Sequence, residues 1–297
     1  MNELEFIDYL KKSIKHGKNV VCGIGDDAAV IKYTRKKYLL FTSDMLIQGV
    51  HFSKHADPKD IGWKAVSVNI SDIAAMGGIP KYVLMSVGIP KAGSSKILKS
   101  ILNGAKAVCR KYDIAIVGGD TNKGQHLVID TVIIGEVEKE SLTLRNGAKI
   151  GDLIFVTGAL GEGRLRHLKF TPRIRQARTL TRLFRINSMI DISDGLFLDL
   201  YRLATASNVG AFIYKSLIPL SEKSTNFKDA LEYGEDFELL FTLSVNEARR
   251  LMRYVGRYEY PDVTLIGEIV SKKRGLNFVG DEGRVRRIKP RGYVHLK

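Results

Sequence analysis

Residues 60–90 place the tightest constraint on the fold. Asp60 is positioned to cap a helix over 61–76, Gly77-Gly78 ends it, and Pro80 follows. The next run, YVLMSVGIP at 82–90, reads as a strand. A helix and a strand this close in the chain call for mixed layers rather than an all-helical bundle.

The rest of the chain repeats that mixture. Apolar groups at Leu4, Ile7, Leu10 and Ile14 have helical spacing over 3–15, and YLLFTSDML at 38–46 reads as a strand. Ile97, Leu98, Ile101, Leu102, Ala105 and Val108 share one face of a helix over 95–111. IAIVGGD and HLVIDTVIIGEV then complete a first half near residue 137. Charged and polar residues 138–150 read as a linker, and DLIFVTGAL opens a second half. That half carries helices near 174–185, 196–208 and 245–255, with strands DFELLFTL and VTLIGEIV. The expectation is a two-domain α/β chain divided into 1–137, 138–150 and 151–297, consistent with 297 residues exceeding the usual size of one core.

Several function classes drop out early. No apolar run approaches a membrane span, and the polar start MNELEFIDYLKKSIKHGK lacks a signal peptide's apolar centre, so a cytoplasmic protein is expected. Cys22 and Cys109 stand far apart and suggest neither a disulfide framework nor a zinc site. The net charge of +15 has local clusters at Arg164–Arg185 and Lys272–Arg291, but no nucleic-acid-binding motif accompanies it. A solvated basic surface that attracts phosphorylated metabolites is the expectation, with no nucleic-acid partner and no membrane. There is no P-loop and no dinucleotide fingerprint. The glycine-rich GALGEGRL at 158–165 reads as a turn or as an anion cradle. His51 and His55 stand four apart without the HExxH context of a zinc helix.

What recurs is aspartate beside glycine or at the end of an apolar run. The set is GDD (25–27), TSD (42–44), NISD (69–72), GGD (118–120), DISD (191–194) and GED (234–236). Any one of these suits a turn or a helix cap, and Ser193 or Asp194 is well placed to cap the helix that follows. Together they are a concentration of carboxylates in segments poor in neighbouring lysine and arginine. Brought together, carboxylates repel and raise one another's pKa unless cations compensate. Oxygen ligands without cysteine suit Mg²⁺, which commonly also holds substrate phosphates. The residues thus point to ATP-dependent phosphotransfer or ligation with more than one Mg²⁺.

The ordered motifs GIGDDAAV, TSDMLIQGVHF, KAVSVNISDIAAMGGIP, GGDTN, MIDISDGLFLDL and GEDFELLFT resemble the thiamine-monophosphate kinase family. That family is related to aminoimidazole ribonucleotide synthetase, and the resemblance runs from about residue 3 to the C-terminus. It implies ATP-dependent phosphorylation of thiamine monophosphate to thiamine diphosphate. It also implies a homodimer whose N-terminal strands pair across subunits into a barrel, a C-terminal α/β domain, and nucleotide bound between them. By resemblance Asp27, Thr42, Ser43, Asp44, Asp72 and Asp120 surround magnesium from the first domain, with Asp191 and Asp194 from the second. Gly119, Asp120, Arg145 and Ser193 fall at ATP positions, and His51 and Glu235 at the thiamine monophosphate site. The family commonly ends in a His-Phe pair, whereas this chain ends GYVHLK, so Leu296 stands at the substrate-stacking position.

The acceptor is a phosphate monoester, already largely anionic at neutral pH, so direct in-line transfer needs no general base. Two other readings stay open. One is an aminoimidazole ribonucleotide synthetase-like ATP-dependent ligase, and the other a non-catalytic basic RNA-binding protein. In GIGDDAAV, strand alternation assigns Asp27 to the metal side and turns Asp26 toward a backbone amide or a basic neighbour.

Overall fold

The computed structural model describes residues 2–90, 94–224 and 226–295. Leu296, expected at the substrate ring, lies outside the described residues. Within them, strands form two separate sheets, one of six strands and one of seven.

The first unit opens with helix α1 (Glu3–Ser13), closed at its start by a reciprocal Asn2–Glu5 capping box. Strands β1 (Val20–Cys22), β2 (Ala29–Lys32) and β3 (Lys37–Ile47) follow, then helix α2 (Pro58–Ala75) and strand β4 (Ile79–Ile89). Helix α3 (Ser94–Tyr112) and strands β5 (Ala115–Lys123) and β6 (Val128–Glu138) complete it. The sheet order is β1-β2-β3-β6-β4-β5, antiparallel except where β4 and β5 run parallel. All nine residues of β5 are exposed at the sheet edge.

The second unit comprises β7 (Leu153–Thr157), α4 (Gly163–Arg166), α5 (Ile174–Leu183), β8 (Ser188–Asp191), α6 (Leu196–Ser207) and β9 (Val209–Tyr214). It continues with α7 (Phe227–Glu232), β10 (Leu239–Leu243), α8 (Val245–Tyr258), β11 (Val263–Ser271), β12 (Leu276–Val279) and β13 (Val285–Arg287). The order is β13-β12-β9-β11-β7-β10-β8, mostly antiparallel, with β12 parallel to β9. Among the described residues no helix is long and apolar enough to cross a membrane.

Helix α2 joins the two units. Thirteen of its eighteen residues are buried, on all sides rather than on one stripe. Val66, Ile70, Ile73 and Ala74 share one apolar core with Ile133 of the first sheet and with Leu180, Phe155 and Phe241 of the second unit. Glycine lets its neighbour approach: a Cβ on Gly62 would lie 1.9 Å from the Ile101 carbonyl of α3. The helix starts earlier than Asp60 suggests. Asp57 is the cap, accepting the Lys59 N–H at 2.8 Å, and Pro58 takes the first turn, where no N–H is needed.

Residues 139–152 contain no helix or strand, but they are not a solvated tether. Ser141, Thr143 and Ala148 are buried, and the Leu144 carbonyl accepts the Met189 N–H at 3.0 Å. The segment is therefore fastened to β8, which carries a site carboxylate on its last residue.

Candidate functional site

Asp27, Asp72 and Asp191 converge from a bend, a helix and a strand, with one carboxylate oxygen of each within 4.8 Å of the others. Asp72 projects from the interior of α2 and Asp191 ends β8, so neither caps a helix. The hydroxyl of Thr42 on β3 donates to Asp72 Oδ2, and Ser71 Oγ donates to Asp191 Oδ2 at 2.6 Å. Burial, then the charges of Asp44 and Asp191, push Asp72 well above the usual carboxylate range. Burial, then Asp27, does the same to Asp191. Asp44, from β3, is pushed up to about 6 by burial and by Asp194 and Asp130, against a hydrogen bond with Asp72.

The GDD turn explains its two acids by separate contacts. Gly25 has φ +114°, and the aspartates lie in the bend before β2 rather than within a strand. The Asp26 carboxylate accepts the Arg145 N–H at 3.1 and 3.2 Å and the Asp27 N–H at 3.1 Å. Burial and the neighbouring Asp27 raise it to about 7. Asp27 Oδ1 accepts from Arg145 Nη2 at 2.5 Å and Nε at 3.2 Å. Its Oδ2 is buried with no hydrogen-bond partner among the described residues.

That orphaned oxygen tests the fit to a cation. A buried carboxylate oxygen without a partner is costly, and two further carboxylates converge beside it. With Thr42 and Ser71 as the hydroxyls nearest them, the donor set is all oxygen, as a hard divalent cation such as Mg²⁺ requires. The residues present fit the ion.

From this cluster a cleft of about 530 Å³ runs between the two units. Ser43, Asp44, Asp72, Asp191, Ser193 and Asp194 line one part of it, and His51, Lys64, Glu235, Tyr293 and His295 another. Ser43 Oγ donates to Asp130 Oδ1 at 3.1 Å. Gly195, not Ser193 or Asp194, occupies the N-cap of α6, and no side chain caps it. Asp199 instead reaches back to the N–H groups of Asp194 and Gly195, while Arg202 pairs with both carboxylates.

His51 lies in a turn, so the spacing to His55 is not that of a helical metal pair. Its Nδ1 accepts the Ile47 N–H at 3.0 Å, and its ring lies 5.1 Å from that of His295. Burial, His295 and Lys64 lower it to about 4, so the ring is neutral near neutral pH. Burial pushes the thiols of Cys22 and Cys109 up to about 11, which removes both as nucleophiles.

Two expected residues stand apart from the cluster. Gly119 and Asp120 lie on exposed edge strand β5, three strands from β3 or about 14 Å at the usual spacing. Asp120 there accepts from the Thr121 N–H at 2.8 Å and from Asn122 at 2.6 Å. GALGEGRL does cradle an anion, but the chain supplies it. The carboxylate of Asp236 accepts the N–H groups of Gly161, Glu162 and Gly163 at 3.0 Å each, and burial lifts it to about 7 against those bonds.

Sequence reasoning missed Lys64, His167, Tyr293 and His295. A lysine among apolar helix residues is itself a signal, because a buried lysine demands a partner. The contacts of His167 and of the C-terminal pair are set by tertiary structure.

The geometry has counterparts among known proteins. Residues 25–137 match the AIR synthase related protein N-terminal domain, and residues 161–277 its C-terminal domain. Thiamine-monophosphate kinase of Buchnera aphidicola subsp. Schizaphis graminum is 37% identical, covering 99% of both chains. The Bacillus subtilis enzyme of that name is 34% identical over 100% of both. The solved complex of AaThiL with AMPPCP and TMP superposes with a TM-score of 0.86 at 32% identity, covering 99% of this chain and 97% of that one. The full-length match, across both units and the cleft between them, means that this chain belongs to the thiamine-monophosphate kinase family of AIR synthase related proteins.

Proposed function

We propose that the chain phosphorylates thiamine monophosphate with ATP, giving thiamine diphosphate and ADP by direct in-line transfer. The observation that carries this reading is the convergence of Asp27, Asp72 and Asp191, with one buried orphan oxygen, where Asp72 and Asp191 line a cleft reaching His51 and Glu235. A relative of the same fold has been solved with AMPPCP and TMP together, which supports nucleotide and acceptor sharing such a cleft.

Asp27, Asp72 and Asp191 would hold Mg²⁺, with Thr42 beside Asp72, and Ser43, Asp44 and Asp194 on the cleft walls, completing the oxygen set. When bound, the ions would neutralise the phosphates that must meet, the main difficulty in joining two polyanions. The protein's own contribution is placement. Ser71 and Thr42 orient Asp191 and Asp72, Arg145 would offer its guanidinium beside Asp27 to the ATP phosphates, and Ser193 lines the cleft. A neutral His51 and the Glu235 carboxylate form the opposite wall, where the acceptor's rings would lie. The acceptor phosphate, with its second pKa near 6, is its own nucleophile. No side chain has to remove a proton.

The division at 137 and 150 goes with this reading, since ligands come from both sides of the fastened segment. So does a homodimer through β5. Nine exposed edge residues, including Ile116 and Val117, form an unprotected strand that a second copy would cover. Such pairing would place Gly119 and Asp120, our remaining candidates for nucleotide and metal, at the boundary between copies. Work in the cytoplasm, where ATP is supplied, fits the same reading.

Product analysis is the deciding experiment. With ATP and Mg²⁺, thiamine monophosphate should yield thiamine diphosphate while free thiamine yields nothing. Absence of product from the monophosphate, or equal phosphorylation of free thiamine, overturns the proposal.

A further inference from the structure

Lys64 is among the largest fully buried side chains of the protein, at 1% exposure. A lysine is almost never buried to this degree without partners. Its ammonium donates to the His51 carbonyl oxygen at 3.0 Å and to Glu235 Oε1, and lies 2.9 Å from His167 Nδ1. His167 Nδ1 is also 3.1 Å from Glu235 Oε2, so the ring nitrogen sits between the ammonium and the second carboxylate oxygen. Burial pulls the Lys64 ammonium below its ordinary value, with Glu235 opposing. Burial pushes Glu235 up, yet His167 and Lys64 together keep it below the usual range. The Glu235 carboxylate therefore stays ionised at neutral pH.

The partners come from separate parts of the chain. Lys64 is on α2, His51 follows β3, and Glu235 and His167 belong to the second unit. Glu235 has φ +59°, an uncommon backbone setting for a residue with a side chain. The ammonium thus ties the first unit to the second at the far wall of the cleft. Lys64, Val68 and Asp72 of one helix all line that cleft. Asp72 stands eight positions after Lys64, about 12 Å along an α-helix. One rigid element therefore carries the phosphate end of the cleft and the far wall at a fixed separation.

We propose that Lys64 is a positioning residue for the heterocyclic end of the acceptor, fixing the Glu235 carboxylate and the His51 backbone at a set distance from the carboxylate cluster. The inference rests on the reading of the cleft given above. A thiamine phosphate carries a permanent positive charge on its thiazolium ring, and a fixed carboxylate is its natural counter-charge. Lys64 acts through that carboxylate and does not touch the reacting phosphates.

Steady-state kinetics of Lys64→Met, Glu235→Gln and the double variant test this. Lys64→Met should raise KM for thiamine monophosphate about ten- to a hundred-fold, the cost of an ångström-scale misplacement. KM for ATP should stay within about two-fold, and adding Lys64→Met to Glu235→Gln should change KM by no more than about two-fold, because the two act as one unit. Lys64→Arg keeps the charge but replaces a compact ammonium by a planar fork, so a smaller KM rise that vanishes in the Glu235→Gln background is expected. Lys64→Arg carries the same cycle should Lys64→Met not fold. Additive effects, an equal rise in KM for ATP, or a lower melting temperature with KM unchanged would each overturn the proposal. Wild-type protein that makes no thiamine diphosphate sinks the functional reading itself, a separate outcome.

Discussion

Arg145 serves both aspartates of the GDD turn, giving its backbone N–H to Asp26 and its guanidinium to Asp27. The Asp27 side chain is fully buried and the arginine only 18% exposed, so the pair is desolvated. Removing one partner of such a pair leaves an uncompensated charge, worth about 3–5 kcal/mol. Arg145→Ala should therefore lower the melting temperature sharply at pH 8. A melting temperature within about a degree of wild type, by thermal melts, would show that the guanidinium does not compensate Asp27.

Asp72 distinguishes a metal ligand from a structural acid. Asp72→Asn removes a charge from a cluster that repels itself and retains an oxygen to accept from Thr42. Without Mg²⁺ the variant should melt at or above the wild-type temperature, while turnover falls at least about a hundred-fold, the scale of losing a preorganised charge partner. Near wild-type turnover would remove Asp72 from the metal site. Unfolding would assign it to structure.

The same cluster fixes a sign for pH. Asp44, Asp72 and Asp191 all titrate higher in the folded protein than in an unfolded chain. Their contribution to stability is fully present below the unfolded value near 4 and is lost as pH rises through the folded values, about 6 for Asp44. Metal-free protein should lose stability from this source between pH 4 and the range above 6. Mg²⁺ favours the ionised forms, so it should stabilise more at pH 8 than at pH 5 and release protons when it binds near pH 6. Melting curves with Mg²⁺ or EDTA check the first, and calorimetry in buffers of different ionisation enthalpy the second. A Mg²⁺ shift independent of pH would count against carboxylate binding.

Much of this was legible in the residues, for physical reasons that differ from place to place. Long elements announced themselves: the periodicity of 95–111 became α3, and the apolar run at 38–46 became β3 within a residue at each end. Strands of three or four residues such as β1, β12 and β13 are too short to show alternation. The cap of α2 fell on Asp57 because Pro58 suits the first turn better than a later start at Asp60 allows. The acids of the site were visible as motifs, but their partners were not. Arg145 reaches Asp27 across 118 positions and Lys64 reaches Glu235 across 171, distances at which only the fold supplies the contact.

The β5 edge predicts assembly. Ile116 and Val117 are 38% and 54% exposed, and Tyr82 and Leu84 on neighbouring β4 are 48% and 38% exposed. An open apolar strand edge of this kind is normally covered. Wild-type protein should be a dimer by light scattering at micromolar concentration, and Val117→Lys, which puts a charge on the edge, should shift it toward monomer. A monomeric wild type would leave β5 without the partner proposed for it.

Asp236 should govern the loop that carries His167. Its carboxylate collects three consecutive N–H groups, from Gly161 to Gly163, at the start of α4 and ahead of His167. Gly161 has φ +95°, so the loop's shape depends on both the glycine and the anion inside it. An amide at position 236 keeps an oxygen where Oδ1 accepts all three N–H groups but loses the charge, and its NH₂ faces the Gly161 N–H that Oδ2 also accepts. Asp236→Asn should cost about 1–3 kcal/mol, the scale of hydrogen bonds to a charged acceptor. The loosened loop should be cut faster by trypsin at Arg166, and KM for thiamine monophosphate should rise through loss of the His167–Glu235 contact. KM for ATP should move little. Unchanged cleavage together with an unchanged KM would mean that the glycines alone hold the loop and Asp236 only fills it.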